Sequence, residues 1–295
     1  MRIGFEGAGA VCVFSSEWDK YAQKTYEANF FETPQGDITS IDEADIPPFD
    51  ILVGGFPCQP FSSIGKREGF KHKTQGTLFY DVARIIAHHK PRAFLLENVA
   101  GLLTHDKGAT IRTILETLTE LNYSVSYKVL DASDYGVPQK RDRIYIVGFH
   151  KNKVKDTIFD FPKPRKNKVG IGKYVESGIK DRSISKHLQS VYIYKLDDGR
   201  PEVITPKSDM PVKTLVSSYH KIQRLTGTFV KDGPTGLRLL SESECKAIMG
   251  FPKTFKVPVS RTQMYRQFGN SVAVPVVKQV AKSIVSHLDE FGKGK

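Results

Sequence analysis

Cysteine is scarce. Three residues in 295 (Cys12, Cys58, Cys245) are an odd number without metal-ligand spacing, which argues against a disulfide framework and a zinc site and leaves each thiol to be judged singly. Long apolar runs are lacking as well. No stretch approaches the ~18 consecutive apolar residues of a membrane span, and Met1-Arg2-Ile3-Gly4-Phe5 lacks a signal-peptide apolar region, so the sequence points to a cytoplasmic protein. Acid is in deficit: 32 Asp and Glu stand against 44 Lys and Arg, giving net +12 and a polyanionic partner as the expectation. Hydrophobic residues at 39% and charged residues at 26% fit a folded chain rather than a disordered one, with length for one large domain and a smaller one.

Short apolar runs (Val11–Phe14, Ile51–Val53, Ala93–Leu96, Ser124–Val129, Ile144–Gly148) alternate with amphipathic stretches. Leu78, Val82, Ile85 and Ile86 share one helical face, and Ile111, Ile114, Leu115, Leu118 and Leu121 another. The pattern predicts an α/β domain with a doubly wound, mostly parallel sheet. Residues 151–168 are dense in Lys and Arg with two prolines and read as a basic linker. From 169 to 257 the periodicity fades into β-rich pieces (Val191–Tyr194, Thr228–Val230), a smaller irregular module. Within it, Ser241 and Glu244 have capping-box spacing and Gly250 with Pro252 stops the helix. Val276 to Leu288 forms a further helix. The expected division is therefore 1–168 with 258–295, and 169–257.

Gly54-Gly55-Phe56-Pro57-Cys58-Gln59-Pro60-Phe61-Ser62 follows an apolar strand and places a thiol where open α/β sheets hold their ligands. A reactive thiolate needs a partly exposed, electropositive setting, and Lys66 and Arg67 lie a few residues on. A lone cysteine is more often core, the reading that Cys12 and Cys245 keep. Glu97-Asn98-Val99 ends the next strand, so an acid would neighbour the thiol, although such an acid is often only a helix cap. Gln139-Lys140-Arg141-Asp142-Arg143 sets two arginines on one face of an extended segment, unless it is simply a solvated strand end. Glu17 ends a strand beside Trp18, the single tryptophan, a pairing suited to ribose hydroxyls and a stacked adenine or else to ordinary packing.

These motifs, in order, resemble the bacterial DNA (cytosine-5)-methyltransferases. GGFPCQPFS (54–62), ENV (97–99) and QKRDR (139–143) look like that family's catalytic-cysteine, catalytic-acid and QxRxR motifs. SEWD (16–19), GDI (36–38), GTLF (76–79), DYGVPQ (134–139), RLLSESECKAIMGFP (238–252) and QFGNSV (267–272) complete the series. The resemblance implies a Rossmann-like, class I S-adenosylmethionine-dependent fold with a target-recognition domain at 169–257. It implies Cys58 as nucleophile toward C6 of a flipped cytosine, Glu97 as the acid at N3, and Arg141 and Arg143 orienting base and acid. Glu17, Trp18, Asp37, Ile38, Pro57, Leu78, Asn270 and Val272 would bind S-adenosylmethionine, with no metal. Gln59, Ser62, Lys66, Arg67, Thr214 and Leu215 would contact double-stranded DNA. Residues 63–75 resemble the family's lid, and the enzyme is expected to act as a monomer.

Phe5-Glu6-Gly7-Ala8-Gly9 matches the family's FxGxG loop letter for letter, yet only four residues precede Phe5, too few for the strand that feeds such a loop. Gly7 lies 17 − 7 = 10 residues before Glu17, where a dinucleotide-type fold spaces about 20. Arg2–Ala8 therefore reads as the helix after that loop. The expectation is a chain without the first strand, one that binds S-adenosylmethionine poorly alone and leaves room for a complementing N-terminal segment. Two competing readings are a DNA-binding remnant without turnover and a tRNA cytosine methyltransferase; methyl transfer to duplex DNA against tRNA separates them.

Overall fold

The computed structural model describes residues 1–57 and 78–292. Cys58, Gln59, Ser62, Lys66, Arg67 and the lid segment 63–75 lie outside the described residues.

Four of the expected strands are present: β1 (Ile51–Gly55), β2 (Ala93–Val99), β3 (Tyr123–Asp131) and β4 (Asp142–His150). They form one sheet in the order β1-β2-β4-β3. β1 and β2 are parallel, joined across α3 (Leu78–His89). β4 runs antiparallel to both β2 and β3. The sheet is thus mixed, and the mostly parallel arrangement expected from sequence holds at one pairing of the described strands. The cause is chain length: only residues 132–141 join β3 to β4, and a parallel crossover takes about a dozen residues or more.

β2 is buried on both faces, which its near-continuous apolar run requires. Ala93 and Leu95 point into a cluster with Phe5, Val276, Val277, Val280 and Ile284, contributed by α1 (Arg2–Glu6) and α8 (Val274–Phe291). Phe94 and Leu96 point the other way, onto Phe79, Ile86, Ile114 and Leu118 of α3 and α4 (Ala109–Glu120). Two helical layers therefore sandwich the sheet, and α8 brings the C-terminal stretch back against α1.

Phe5 lies within α1, which turns at Gly7 toward Gly9 (φ 93°), so Phe5–Gly9 is a helix followed by a turn. The expected strand Val11–Phe14 makes no ladder; an isolated parallel bridge joins Ser16 to Gln35, with Val11 83% and Val13 54% exposed. An apolar run becomes a strand only where a neighbour accepts its hydrogen bonds, and no strand pairs it among the described residues. Asp19 then caps α2 (Lys20–Phe30), its carboxylate accepting from the N–H groups of Tyr21 and Ala22.

The basic segment 151–168 has no regular structure, but it is strapped down rather than free. Val154 and Phe159 are buried in the first cluster, and Lys168 bridges Asp131 and Asp134.

Beyond it, β5 (Glu202–Ile204) and β6 (Thr228–Val230) pair in parallel over a second core. Val191–Tyr194, expected as β, is helical instead, since α5 (Lys186–Leu188) runs on into a π-turn through Ile193. Side-chain and backbone partners decide that segment, not its β-branched letters. α6 (Glu242–Met249) carries the predicted capping box at Ser241 and ends at Gly250 in the left-handed region (φ 73°). α7 (Arg261–Asn270) packs Met264, Tyr265 and Phe268 into this second cluster, although the sequence division at 257 assigns it to the first region. The fully buried Arg238 ties the module together through Glu244 (2.8 and 2.9 Å) and Asp232 (2.8 Å).

Candidate active site

β1 and β2 end side by side, with Gly55 opposite Glu97. A Cβ on Gly55 would lie 3.4 Å from Glu97 Oε2, so the absence of a side chain brings the backbone leading to Cys58 onto the carboxylate. Glu97 also faces Tyr145 across the antiparallel pairing, and Arg143 faces Val99. That register delivers Arg143 Nε to Glu97 Oε1 at 3.2 Å, an ion pair at the edge of the core. Burial raises the Glu97 pKa above the usual carboxylate range, and the positive charges of Arg143 and Arg141 only partly oppose it. A carboxyl that holds its proton longer than usual is suited to give it to a ring nitrogen.

Arg141 behaves differently from the expectation that it orients the base. It is 3% exposed, and its Nη1 and Nη2 groups donate to main-chain carbonyls: Leu215 (3.1 Å), Gly269 (2.9 Å) and Ser271 (2.6 Å). Burial, then Arg143, pushes its pKa down to about 10. Its influence on Glu97 is through charge, whereas the direct partner of the acid is Arg143.

Thr214 and Leu215 are drawn into the same construction. Leu215 N–H donates to Gln139 Oε1 (2.7 Å) and Thr214 Oγ1 to the Lys140 carbonyl (2.7 Å). Leu215 is buried in the second core with both backbone groups occupied, so its expected DNA contact is corrected to a packing position; Thr214 is half-buried. On the other side, a Cβ at Gly269 would fall on the backbone of Val216 and Ser217, so only glycine lets α7 approach this segment.

The expected cofactor residues fall into three places. Ser16 Oγ donates to the Gly36 carbonyl (2.6 Å) and Glu17 N–H to Gln35 O (2.8 Å), which sets Glu17 and Trp18 beside Asp37 and Ile38. Trp18 is 74% exposed, an open aromatic face. Glu17, its pKa raised by burial, accepts the Asp19 N–H, while Asp37 caps a short turn and Ile38 O accepts from Arg84. Pro57 and Leu78 flank the segment 58–77, with Leu78 partly buried against Phe56 and Phe79. Asn270 is exposed at the end of α7, and Val272 is buried in the first core. An exposed indole beside an acid fits adenosine, which needs a stacking face and acceptors for ribose hydroxyls.

Asn98 was given no role of its own by sequence reasoning. It is buried, and its Nδ2 donates to the Phe56 carbonyl (2.9 Å), tethering the chain two residues before Cys58 to the strand that carries Glu97. Gln139 was likewise only a motif letter; it also donates to the Ile248 carbonyl (2.8 Å). Their places in Glu97-Asn98-Val99 and Gln139-Lys140-Arg141-Asp142-Arg143 were the signal, but a buried amide's partners lie far off in the chain. Among the described residues no group of His, Cys, Asp and Glu could hold a metal ion, and no helix is long and apolar enough to cross a membrane.

The profile of a family described as C-5 cytosine-specific DNA methylase matches residues 1–286. The chain is 59% identical over 289 residues to the type II methyltransferase M.BsuFI of Bacillus subtilis, covering 98% of this chain and 70% of that one. It is 56% identical to the type II methyltransferase M.MspI of Moraxella sp, covering 96% and 67%. A solved DNMT2 mutant from Spodoptera frugiperda superposes with a TM-score of 0.76 at 22% identity, covering 98% of this chain and 96% of that one, a likeness of fold.

Proposed function

The chain belongs to the C-5 cytosine-specific DNA methylase family, and from that premise we propose that Cys58 and Glu97 are its reacting pair. It is an S-adenosylmethionine-dependent DNA cytosine-5 methyltransferase, related to the enzymes of restriction–modification systems. The observation that carries the residue assignment is Glu97 held by Arg143 and lying against Gly55, three residues ahead of Cys58.

The target base leaves the duplex stack, because its ring edge is otherwise out of reach. The Cys58 thiolate bonds to C6, the displaced electron pair runs to N3, and Glu97 gives N3 its proton. Arg143 keeps the carboxyl aimed while its charge changes. S-adenosylmethionine, when bound, supplies the methyl group that the electron-rich C5 attacks. A water at the site takes the C5 proton, the sulfur leaves C6, and N3 returns its proton to Glu97. Glu17, Trp18, Asp37 and Ile38 hold the adenosine half, with Pro57, Leu78, Asn270 and Val272 around it.

Residues 169–257 serve as the recognition domain, and Gln59, Ser62, Lys66, Arg67 and Thr214 contact the DNA. The outer edge of β1 is assigned to a complementing strand: no strand pairs it among the described residues, and Val53, Val11 and Val13 are exposed. With that strand in place the sheet reads as doubly wound and Rossmann-like, and the protein acts as a monomer in the cytoplasm without a metal.

Transfer of tritiated methyl from S-adenosylmethionine to duplex DNA tests this reading, with Cys58→Ser as the control. Transfer to tRNA in preference to duplex DNA, or wild-type turnover by the serine variant, would overturn it. Calorimetric titration with S-adenosylmethionine tests the complementing strand, and micromolar binding by the 295-residue chain alone would remove the need for one.

A further inference from the structure

Four large apolar side chains crowd one tip of the second module: Val191, Tyr194, Leu196 and Leu225, each between 50% and 58% exposed. They are not on a loose loop. Arg224, 3% exposed, sits directly behind them. Its Nε donates to the Ile193 carbonyl (2.9 Å), its Nη2 to Leu196 O (3.0 Å), and its fork grips Asp198. The Tyr192 hydroxyl takes the Arg224 N–H (3.3 Å). Two further features are unusual. Residues 189–193 form a π-turn, and Ile222, a β-branched residue, is in the left-handed region at φ 54°. Backbone held in such conformations is kept only where the surroundings over-determine it, which is common at binding sites.

The tip is also rooted on the catalytic sheet. Leu225 is ten residues past Leu215 (225 − 215 = 10), whose peptide is gripped by Gln139 and Arg141 at the start of β4. Between them, the Tyr219 hydroxyl donates to Thr228 O (2.5 Å) and accepts from Leu240 N (3.0 Å). The exposed apolar groups are thus fixed relative to Glu97 rather than carried on a flexible arm.

Charge points to the occupant. Lys195, Arg200 and Lys221 are exposed around the tip, while Asp198 is taken by Arg224 and Asp197 is the remaining exposed acid of that loop. Four apolar side chains ringed by cations are too small for a stable protein interface, which takes about 800 Å² per partner. They suit a duplex, where apolar groups read thymine methyls or wedge between base steps and cations hold phosphates.

We propose that Tyr194, Leu196 and Leu225, set by Arg224, are specificity-determining contacts to the bases of the target duplex, with Lys195, Arg200 and Lys221 on its phosphates. The inference rests on the reading of duplex DNA as substrate and adds which surface selects the sequence.

The test is selection from a pool of random-sequence duplexes by the full chain, followed by affinity measurements on the selected and unselected pools. All three apolar residues are exposed, so Tyr194→Ser, Leu196→Ser and Leu225→Ser, together and singly, should fold normally by circular dichroism. The triple variant is expected to lose about tenfold or more of the ratio between selected and random duplex affinity, the scale on which a single lost base contact is felt. Its affinity for random duplex should not change. Lys195→Ala with Lys221→Ala should weaken binding to both pools alike and flatten the log–log salt slope by about 2. A triple variant that selects the same sequence with an unchanged ratio overturns the proposal. So does one that alters only the oligomeric state, which would make the tip a protein interface. A wild-type chain that selects no duplex sequence overturns the DNA reading itself, a failure distinct from that of the tip.

Discussion

Replacing Glu97 with glutamine keeps the side-chain volume and a hydrogen-bond donor but removes the transferable proton. A positioned acid contributes about 10²–10⁴ to a rate, so the barrier should rise by roughly 3–5 kcal/mol. Stability should move the other way. At 3.2 Å the attraction between Arg143 and Glu97 is worth about 5 kcal/mol before desolvation, taking an effective dielectric of about 20. The Glu97 pKa is nevertheless raised, so burial outweighs both arginines and the ionised carboxylate is a net cost to the fold. The folded state therefore binds the Glu97 proton more tightly than the unfolded chain. Wild-type stability relative to Glu97→Gln is greatest below the ordinary glutamate pKa and declines as pH rises through the folded value. At neutral pH the variant should be as stable as wild type or slightly more so. Single-turnover methyl transfer, duplex binding by fluorescence anisotropy and urea unfolding at several pH values measure the three quantities separately. A variant within about threefold of the wild-type rate would refute the role of Glu97. One that loses rate only in proportion to lost stability would refute the reading of its burial.

Asn98→Leu leaves the Phe56 carbonyl without its buried donor; a cost of about 1–3 kcal/mol in unfolding free energy and a lowered kcat with duplex affinity retained are expected. Gly269→Ala would press a methyl group onto the backbone of Val216 and Ser217, so chemical denaturation should show a loss of about 1–3 kcal/mol, and an unchanged midpoint would mean that the segment can retreat. Because Trp18 is the single tryptophan and largely exposed, its fluorescence should change on titration with S-adenosylhomocysteine, and a silent titration at calorimetric saturation would remove it from the proposed cofactor site. The His150 pKa is lowered from 6.5 by burial and then by Lys153 and Lys90. Wild-type stability should therefore fall as pH drops below that value, and His150→Gln should lack this dependence in urea titrations.

Much of the candidate site's layout was legible in the chain because its patterns are local. A glycine-rich turn after an apolar strand, an acid after the next strand and alternating arginines on an extended segment are each short patterns that backbone periodicity converts into position. The strands Ile51–Gly55 and Ala93–Val99, the helices Leu78–His89 and Ala109–Glu120 and the capping box at Ser241 follow in the same way from residues within one or two turns of one another. What failed was decided elsewhere in the chain. Val11–Phe14 has the letters of a strand, but a strand exists only with a neighbour. Val191–Tyr194 has them too, yet Arg224, some thirty residues away in sequence, holds the Ile193 carbonyl.

The sequence alone determined the kind of chemistry on offer: a candidate thiol, a candidate acid, two candidate arginines, and an excess of positive charge for a polyanion. Tertiary structure alone decided how the two arginines divide their work, because Arg143 lies on the face that meets Glu97 while Arg141 meets three backbone carbonyls from residues 215, 269 and 271. It decided equally that Leu215 packs inward and that Leu225 points out. A motif fixes which groups are available, whereas a hydrogen bond or an ion pair depends on distances of about 3 Å between residues whose separation along the chain carries no record of their separation in space.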